Sequence, residues 1–215
     1  LVKPACVDLE DFNIQRKKNK VLSDRLGFEN KIVAVYAGKF GGIYLTKEVF
    51  YLLKEAENKW GDNFRVLLLT NHDTNQIRQW ANEAGLSFNK IVCKFVHHHE
   101  VRDYMGLGDF GITPVKPIPT KRYCSPIKDG EYWALGLPVI ITKEISDDSS
   151  IIESENIGAV LQELNIEEYK KAIDKIEILL REGSSLSTRI FAVAKKYRSF
   201  EIAEKVYNKV YAVDF

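Results

Sequence analysis

Short apolar runs alternate with longer segments whose apolar positions recur three and four residues apart. The first run, Lys31-Ile-Val-Ala-Val-Tyr36, ends at Gly38 and leads into a helix expected from about Thr46 to Trp60, with Thr46 as N-cap. The second, Arg65 to Thr70, precedes a helix near Asn75 to Ala84 that Gly85 closes. Lys90 to Val96 reads as a third strand, with a short helix from about His99 to Met105 after it. Phe110 to Val115, Pro138 to Thr142 and Ala159 to Leu161 read as the fourth, fifth and sixth strands. The runs are continuous rather than alternating, as in strands covered by helices on both faces. Strand and helix taken in turn predict an α/β protein, a Rossmann-like parallel six-stranded sheet, followed from Ile166 by helices broken at Gly183-Ser-Ser185 and near Ser199.

The first thirty residues are charged and irregular in pattern, so the expected organisation is a lead-in over residues 1–30, the sheet domain over 31–184 and tail helices over 185–215. A chain of 215 residues with 45% hydrophobic and 28% charged residues has enough apolar side chains for one substantial core. With 31 Lys and Arg against 30 Asp and Glu, its bulk charge gives no reason to expect a nucleic acid as partner. The longest apolar runs fall well short of the roughly 18 to 20 residues that span a bilayer, and no signal-peptide pattern stands at the start. Cys6, Cys93 and Cys124 form no CxxC spacing, which fits a reducing, cytoplasmic compartment better than a disulfide framework or a zinc site. The chain opens on Leu1 and holds one Met, and is read as part of a longer protein.

Open parallel sheets bind ligands beyond the carboxyl ends of their strands, where strand order reverses. That rule draws attention to Gly38 to Tyr44, Val96 to Glu100 and Cys124 to Glu131. Gly38-Lys39-Phe40-Gly41-Gly42 could bring backbone amides and the Lys39 charge to a phosphate, or be a tight turn that needs glycine for positive φ. In Ser125-Pro126-Ile127-Lys128-Asp129-Gly130-Glu131, Ser125 is expected as N-cap and Pro126 as first residue of a helix whose free amides attract an anion. Lys128 and Glu131, three apart, share one face of it. The carboxylate can accept from vicinal hydroxyls such as those of a ribose while the lysine meets phosphate; otherwise the two form a surface ion pair.

The whole stretch Ser125 to Ile140 resembles the donor-site signature SPxKxxEYxAxGxPVI of retaining family 4 glycosyltransferases, which have the GT-B fold. Other segments are similar to that family in the order it requires: Val2 to Phe12, Tyr36 to Phe40, His99 to Asp109, and Tyr197-Arg-Ser199-Phe200 with the helix after it. The resemblance covers essentially the whole chain but only the C-terminal, donor-binding half of a family member. It implies that Glu131 holds the ribose of a UDP- or GDP-linked sugar and that Lys39 contacts the diphosphate. Lys128 and the amides after Ser125 and Pro126 would lie beside the same phosphates or the sugar, and Gly38, Gly41 and Gly42 would line the approach. Val96 and His97, at the end of the third strand, are expected to border the nucleobase through their backbone.

Two departures stand out. The family's first motif glutamate falls at Tyr123, and its second basic residue has no match at Gly42-Ile43-Tyr44. His97-His98-His99 cannot all reach one ion from a strand end, so no metal ligand is assigned.

The expected function is nucleotide-sugar binding for glycosyl transfer to an acceptor hydroxyl in surface polysaccharide or glycoconjugate synthesis. The expected partner is the acceptor-binding N-terminal domain of the same protein. That domain would also carry any catalytic histidine and any peripheral membrane contact, leaving this half inactive alone, and no cofactor is expected. The alternatives are a non-catalytic nucleotide-binding domain of the same fold and a GT-B nucleotide-sugar epimerase.

Overall fold

A computed structural model describes residues 3–211. Six strands, β1 (Ile32–Ala37), β2 (Phe64–Leu69), β3 (Ile91–Lys94), β4 (Phe110–Thr113), β5 (Val139–Thr142) and β6 (Gly158–Leu161), pair in parallel in the order β3-β2-β1-β4-β5-β6. The helices are α1 (Lys20–Leu26), α2 (Lys47–Trp60), α3 (Thr74–Ala84), α4 (His98–Met105), α5 (Ile127–Ala134), α6 (Asp148–Ser154), α7 (Ile166–Leu180), α8 (Ser184–Arg198) and α9 (Phe200–Tyr211). The expected Rossmann-like α/β architecture is therefore the observed one. Among the described residues, no helix is long and apolar enough to cross a membrane.

Neighbouring residues of β4 show how the sheet is covered. Phe110 packs on Trp60 of α2, with ring centroids 5.8 Å apart, whereas the Cβ direction of Gly111 runs into the ring of Tyr132 on α5. Successive side chains of a strand point to opposite faces, so α2 and α5 lie on opposite sides. Covered twice, β1 is buried along nearly its whole length. Its Val-Ala-Val run reads as uninterrupted apolar sequence for that reason.

The structure departs from the sequence expectation in the first thirty residues and adds two elements that the expectation did not include. Residues 1–30 are not irregular throughout. They contain α1, which Gly27 closes at φ +68°, and Val7 forms a parallel bridge with Ser199 while Phe12 is buried. Some of their charges tie them to the domain, with Arg16 reaching Asp103 at 3.2 Å and Lys18 reaching Asp109 at 2.6 Å. The polar run Asp147-Asp148-Ser149-Ser150 masks α6, whose Ile151 and Ile152 are nonetheless buried. The long segment between β4 and α5 contains a 3-10 turn over Pro119–Tyr123.

Candidate functional site

Strand order reverses between β1 and β4, so the crevice opens beyond their carboxyl ends. The loop after β1 is shaped by close packing. Tyr36 reaches forward and its hydroxyl donates to the Lys39 carbonyl, crossing so near Gly38 that a Cβ there would stand 2.8 Å from Oη. Gly41 and Gly42 have φ of +79° and +61°, the left-handed region that the tight-turn reading demands. Phe40 turns inward onto Phe50 and Trp80, and its N–H donates to His72 Nε2 at 2.9 Å. Lys39 is left exposed, with no carboxylate partner among the described residues.

On the other side, α5 begins at Ile127. Pro126 is its N-cap rather than its first helical residue, and no side chain caps the terminus. Ser125, expected to cap, has another partner: its Oγ accepts the Ala5 N–H at 3.2 Å. The uncapped amides of the first turn remain available to a ligand. Tyr132 fixes the helix to β1, its hydroxyl accepting the Ala37 N–H at 3.1 Å. Glu131, next to it, is only 5% exposed, and its carboxylate accepts from the half-buried Lys128 ammonium.

Between these walls is a cleft of about 260 Å³ that gathers Gly38, Lys39, Val96 and Lys128 from the expected set. Leu69, Thr70, Asn71, Phe95 and Val101 complete much of its lining. Thr70 and Asn71 follow β2 directly, so the rule about strand ends reaches them too, although no motif marked them. Glu131 bears on the cleft through Lys128. Gly41 and Gly42 shape the loop from behind, and Ser125 lies in a separate hollow of about 730 Å³ beside Tyr123 and Lys3. His97 is exposed at the start of α4, where its N–H donates to Glu100 Oε2 at 3.2 Å and its ring stacks on His99 at 5.9 Å.

One cation escaped the sequence reading. Lys116, three residues past the end of β4, donates from Nζ to the Gly42 carbonyl at 2.7 Å. Tyr44 and Val115 are joined by an antiparallel bridge, and Leu45 N–H donates to the Pro114 carbonyl at 2.7 Å. Lys116 therefore stands at the loop where the family's second basic residue had no match, brought there by tertiary pairing that its position in sequence does not reveal.

Compared by sequence, the chain matches no protein-family model and no curated protein. Compared by structure, it is similar to WaaG, a glycosyltransferase involved in lipopolysaccharide biosynthesis, at 14% identity and a TM-score of 0.76, over 99% of this chain and 56% of that one. HepE of Anabaena in complex with UDP-glucose matches at 13% identity and a TM-score of 0.72, over 97% of this chain and 56% of that one. A glycosyltransferase from Rickettsia africae matches at 18% identity and a TM-score of 0.65, over 96% and 56%. At these identities the likeness is one of fold, that of the C-terminal half of the GT-B architecture. The chain spans about half the length of the solved structures it matches.

Proposed function

We propose that this chain is the donor-binding half of a retaining glycosyltransferase, taking a UDP- or GDP-linked sugar in the cleft between the loop after β1 and the start of α5. The observation that carries the reading is that Lys39 and Lys128, the latter in the uncapped first turn of α5, line one cleft at the switch point of the sheet. A diphosphate there would meet two ammonium groups and the positive end of a helix. Such groups stabilise the charge that builds on a diphosphate leaving group as the glycosidic bond breaks.

Lys116 would supply the second loop cation. Glu131 would turn from Lys128 to the ribose hydroxyls, leaving that ammonium to a phosphate. The apolar wall of Phe95, Val96 and Val101 suits a nucleobase. WaaG, involved in lipopolysaccharide biosynthesis, and HepE, solved in complex with UDP-glucose, support this class of donor and a role in surface glycoconjugate synthesis. The acceptor site belongs to the other half of the protein in this reading, the reaction is cytoplasmic, and residues 31–184 form the nucleotide-sugar domain.

Calorimetric titration with UDP, GDP and their sugars tests the proposal, with Glu131→Ala as control. Binding by the wild type that the variant loses is the expected result. A wild type that binds none of them would refute it.

A further inference from the structure

Beneath the first turn of α5 lies a group of buried charges that the donor cleft does not use. Asp129 on α5, Asp148 on α6 and Arg198 at the end of α8 are each 0% exposed. The Arg198 guanidinium donates through Nη2 to Asp148 Oδ1, reaches Asp147 Oδ1 at 3.3 Å and faces the Trp133 ring at 5.1 Å. Asp129 has no such cation. Its Oδ1 is hydrogen-bonded to the Thr113 hydroxyl at the end of β4, and its Oδ2, like Asp148 Oδ2 and Arg198 Nε, is buried without a hydrogen-bond partner among the described residues.

One guanidinium cannot neutralise two interior carboxylates, and an uncompensated buried charge is strongly destabilising. The cluster needs a proton, and Asp148, which holds the guanidinium, is not where it is needed. We propose that Asp129 is a positioning residue held as the neutral carboxylic acid, so that the first turn of α5 offers its amides to a diphosphate without an opposing negative charge beneath them. This rests on reading the α5 terminus as the diphosphate site.

Local geometry supports the assignment. A carboxylate at the third position of a helix normally bonds back to the N-cap N–H, but the N-cap here is Pro126, which has none. Asp129 is turned into the interior instead. The helix terminus favours its ionised form, yet a single terminus offsets only a small part of the penalty for stripping water from a carboxylate. Burial, and then the charge of Asp148, push the Asp129 carboxyl well above the usual range, with Thr113 and Arg198 opposing them. The other titratable or charged groups around the cluster are Asp147, the N-cap of α6, which reaches Arg198, and, on the helix of Asp129 itself, Tyr132 and the Lys128–Glu131 pair; burial pushes the Tyr132 phenol well up, which keeps it neutral. Gly130 packs so close to Val7 and Arg198 that a Cβ there would meet Val7 Cγ2 at 2.6 Å, which closes the cluster to water from the side of the lead-in segment.

The test compares the wild-type chain with Asp129→Asn and Asp148→Asn, each first shown to unfold cooperatively. Infrared difference spectra at neutral pH should show a protonated-carboxyl C=O stretch in the wild type that Asp129→Asn removes. Asp148→Asn should remove it as well, because Arg198 is then free to pair with an ionised Asp129. In calorimetric titrations with UDP, wild-type affinity should fall about tenfold from neutral to alkaline pH, a fall that Asp129→Asn lacks; the ionisation of UDP is common to both. No carboxyl band, or a band that persists in Asp148→Asn, would overturn the assignment of the proton. A band accompanied by identical pH profiles in wild type and Asp129→Asn would overturn the positioning role alone. A wild type that binds no UDP at any pH would instead remove the diphosphate reading, while the band still reports on the proton.

Discussion

The ring of Tyr132 occupies the space that a side chain at position 111 would need: a Cβ on Gly111 would stand 2.7 Å from ring atoms Cγ and Cδ1. Seated there, the phenol reaches across the sheet to accept the Ala37 N–H at 3.1 Å and to donate toward the Val35 carbonyl at 3.4 Å. The helix that carries Lys128 and Glu131 is thereby fixed to the strand that ends in Gly38 and Lys39. The two walls of the cleft share one anchor.

Removing that anchor should be measurable in stability before it is measurable in binding. Tyr132→Phe keeps the ring but leaves the buried Ala37 N–H without its acceptor, a loss of about 1–3 kcal/mol. Gly111→Ala drives a methyl into the ring and should cost about 1–3 kcal/mol or more by overpacking. Urea unfolding of both variants checks this, and a Tyr132→Phe chain as stable as the wild type would show that the hydroxyl contributes nothing.

Glu131→Gln separates the ribose role from the ion pair. Only the lysine end of the pair with Lys128 is exposed, at 34%. Glutamine keeps the shape and an acceptor oxygen in the buried position of Glu131, so the loss of stability should stay at about 1 kcal/mol. A hydrogen bond to a charged group contributes about 1.5–3 kcal/mol, so UDP affinity should fall at least about tenfold. Uridine should lose affinity in the same proportion, since the ribose is common to both. Loss confined to UDP would place Glu131 at the phosphates instead.

Lys39 and Lys116 can be told apart by ligand charge. Lys39→Ala should weaken UDP by about tenfold and leave uridine almost unchanged, and added salt should narrow the gap because exposed charges are screened over about 10 Å at 0.1 M. Lys116→Ala should follow the same pattern if its ammonium leaves the Gly42 carbonyl for a phosphate. If it only holds the loop, UDP and uridine will weaken by equal factors.

The sheet was legible because its strands are buried on both faces, so Ile32 to Ala37 is apolar without interruption and Phe64 to Leu69 is broken only by the half-buried Arg65 near its start. The α5 segment was legible because many constraints meet in few residues: Gly130 against Val7 and Arg198, Tyr132 over Gly111, and Gly136 at φ +68° against Ser187. What stayed hidden depends on contacts distant in sequence. Ser125 reads as a cap from its neighbours, yet its hydroxyl serves Ala5, 120 residues away. Lys116 reads as a loop lysine until the Tyr44–Val115 bridge brings it to Gly42. Arg198 looks like one more charge in a polar helix end, and only the packed structure shows it buried against Asp148.

The buried carboxyls also make stability depend on pH in a direction opposite to that of ordinary ion-paired acids. Burial pushes Asp148 up to about 7, against the pull of Arg198, and pushes Asp129 up as well. In the unfolded chain both return to about 3.9. Between about pH 4 and pH 7 the folded protein therefore holds more protons than the unfolded chain, and stability must fall as pH rises through that window. The one proton that the Asp129–Asp148–Arg198 cluster retains contributes a slope of about 1.4 kcal/mol per pH unit. Glu57, Glu177 and Glu182, whose partners lower their values, act the other way, but their contribution is lost only as pH drops below about 4.5. Urea unfolding at a series of pH values should thus give a wild-type chain more stable near pH 5 than near pH 7. Asp148→Asn should flatten that slope, since Arg198 then pairs with an ionised Asp129 and the excess proton disappears. A wild-type profile that rises from pH 5 to pH 7 would show that the interior carboxyls are ionised in the folded state.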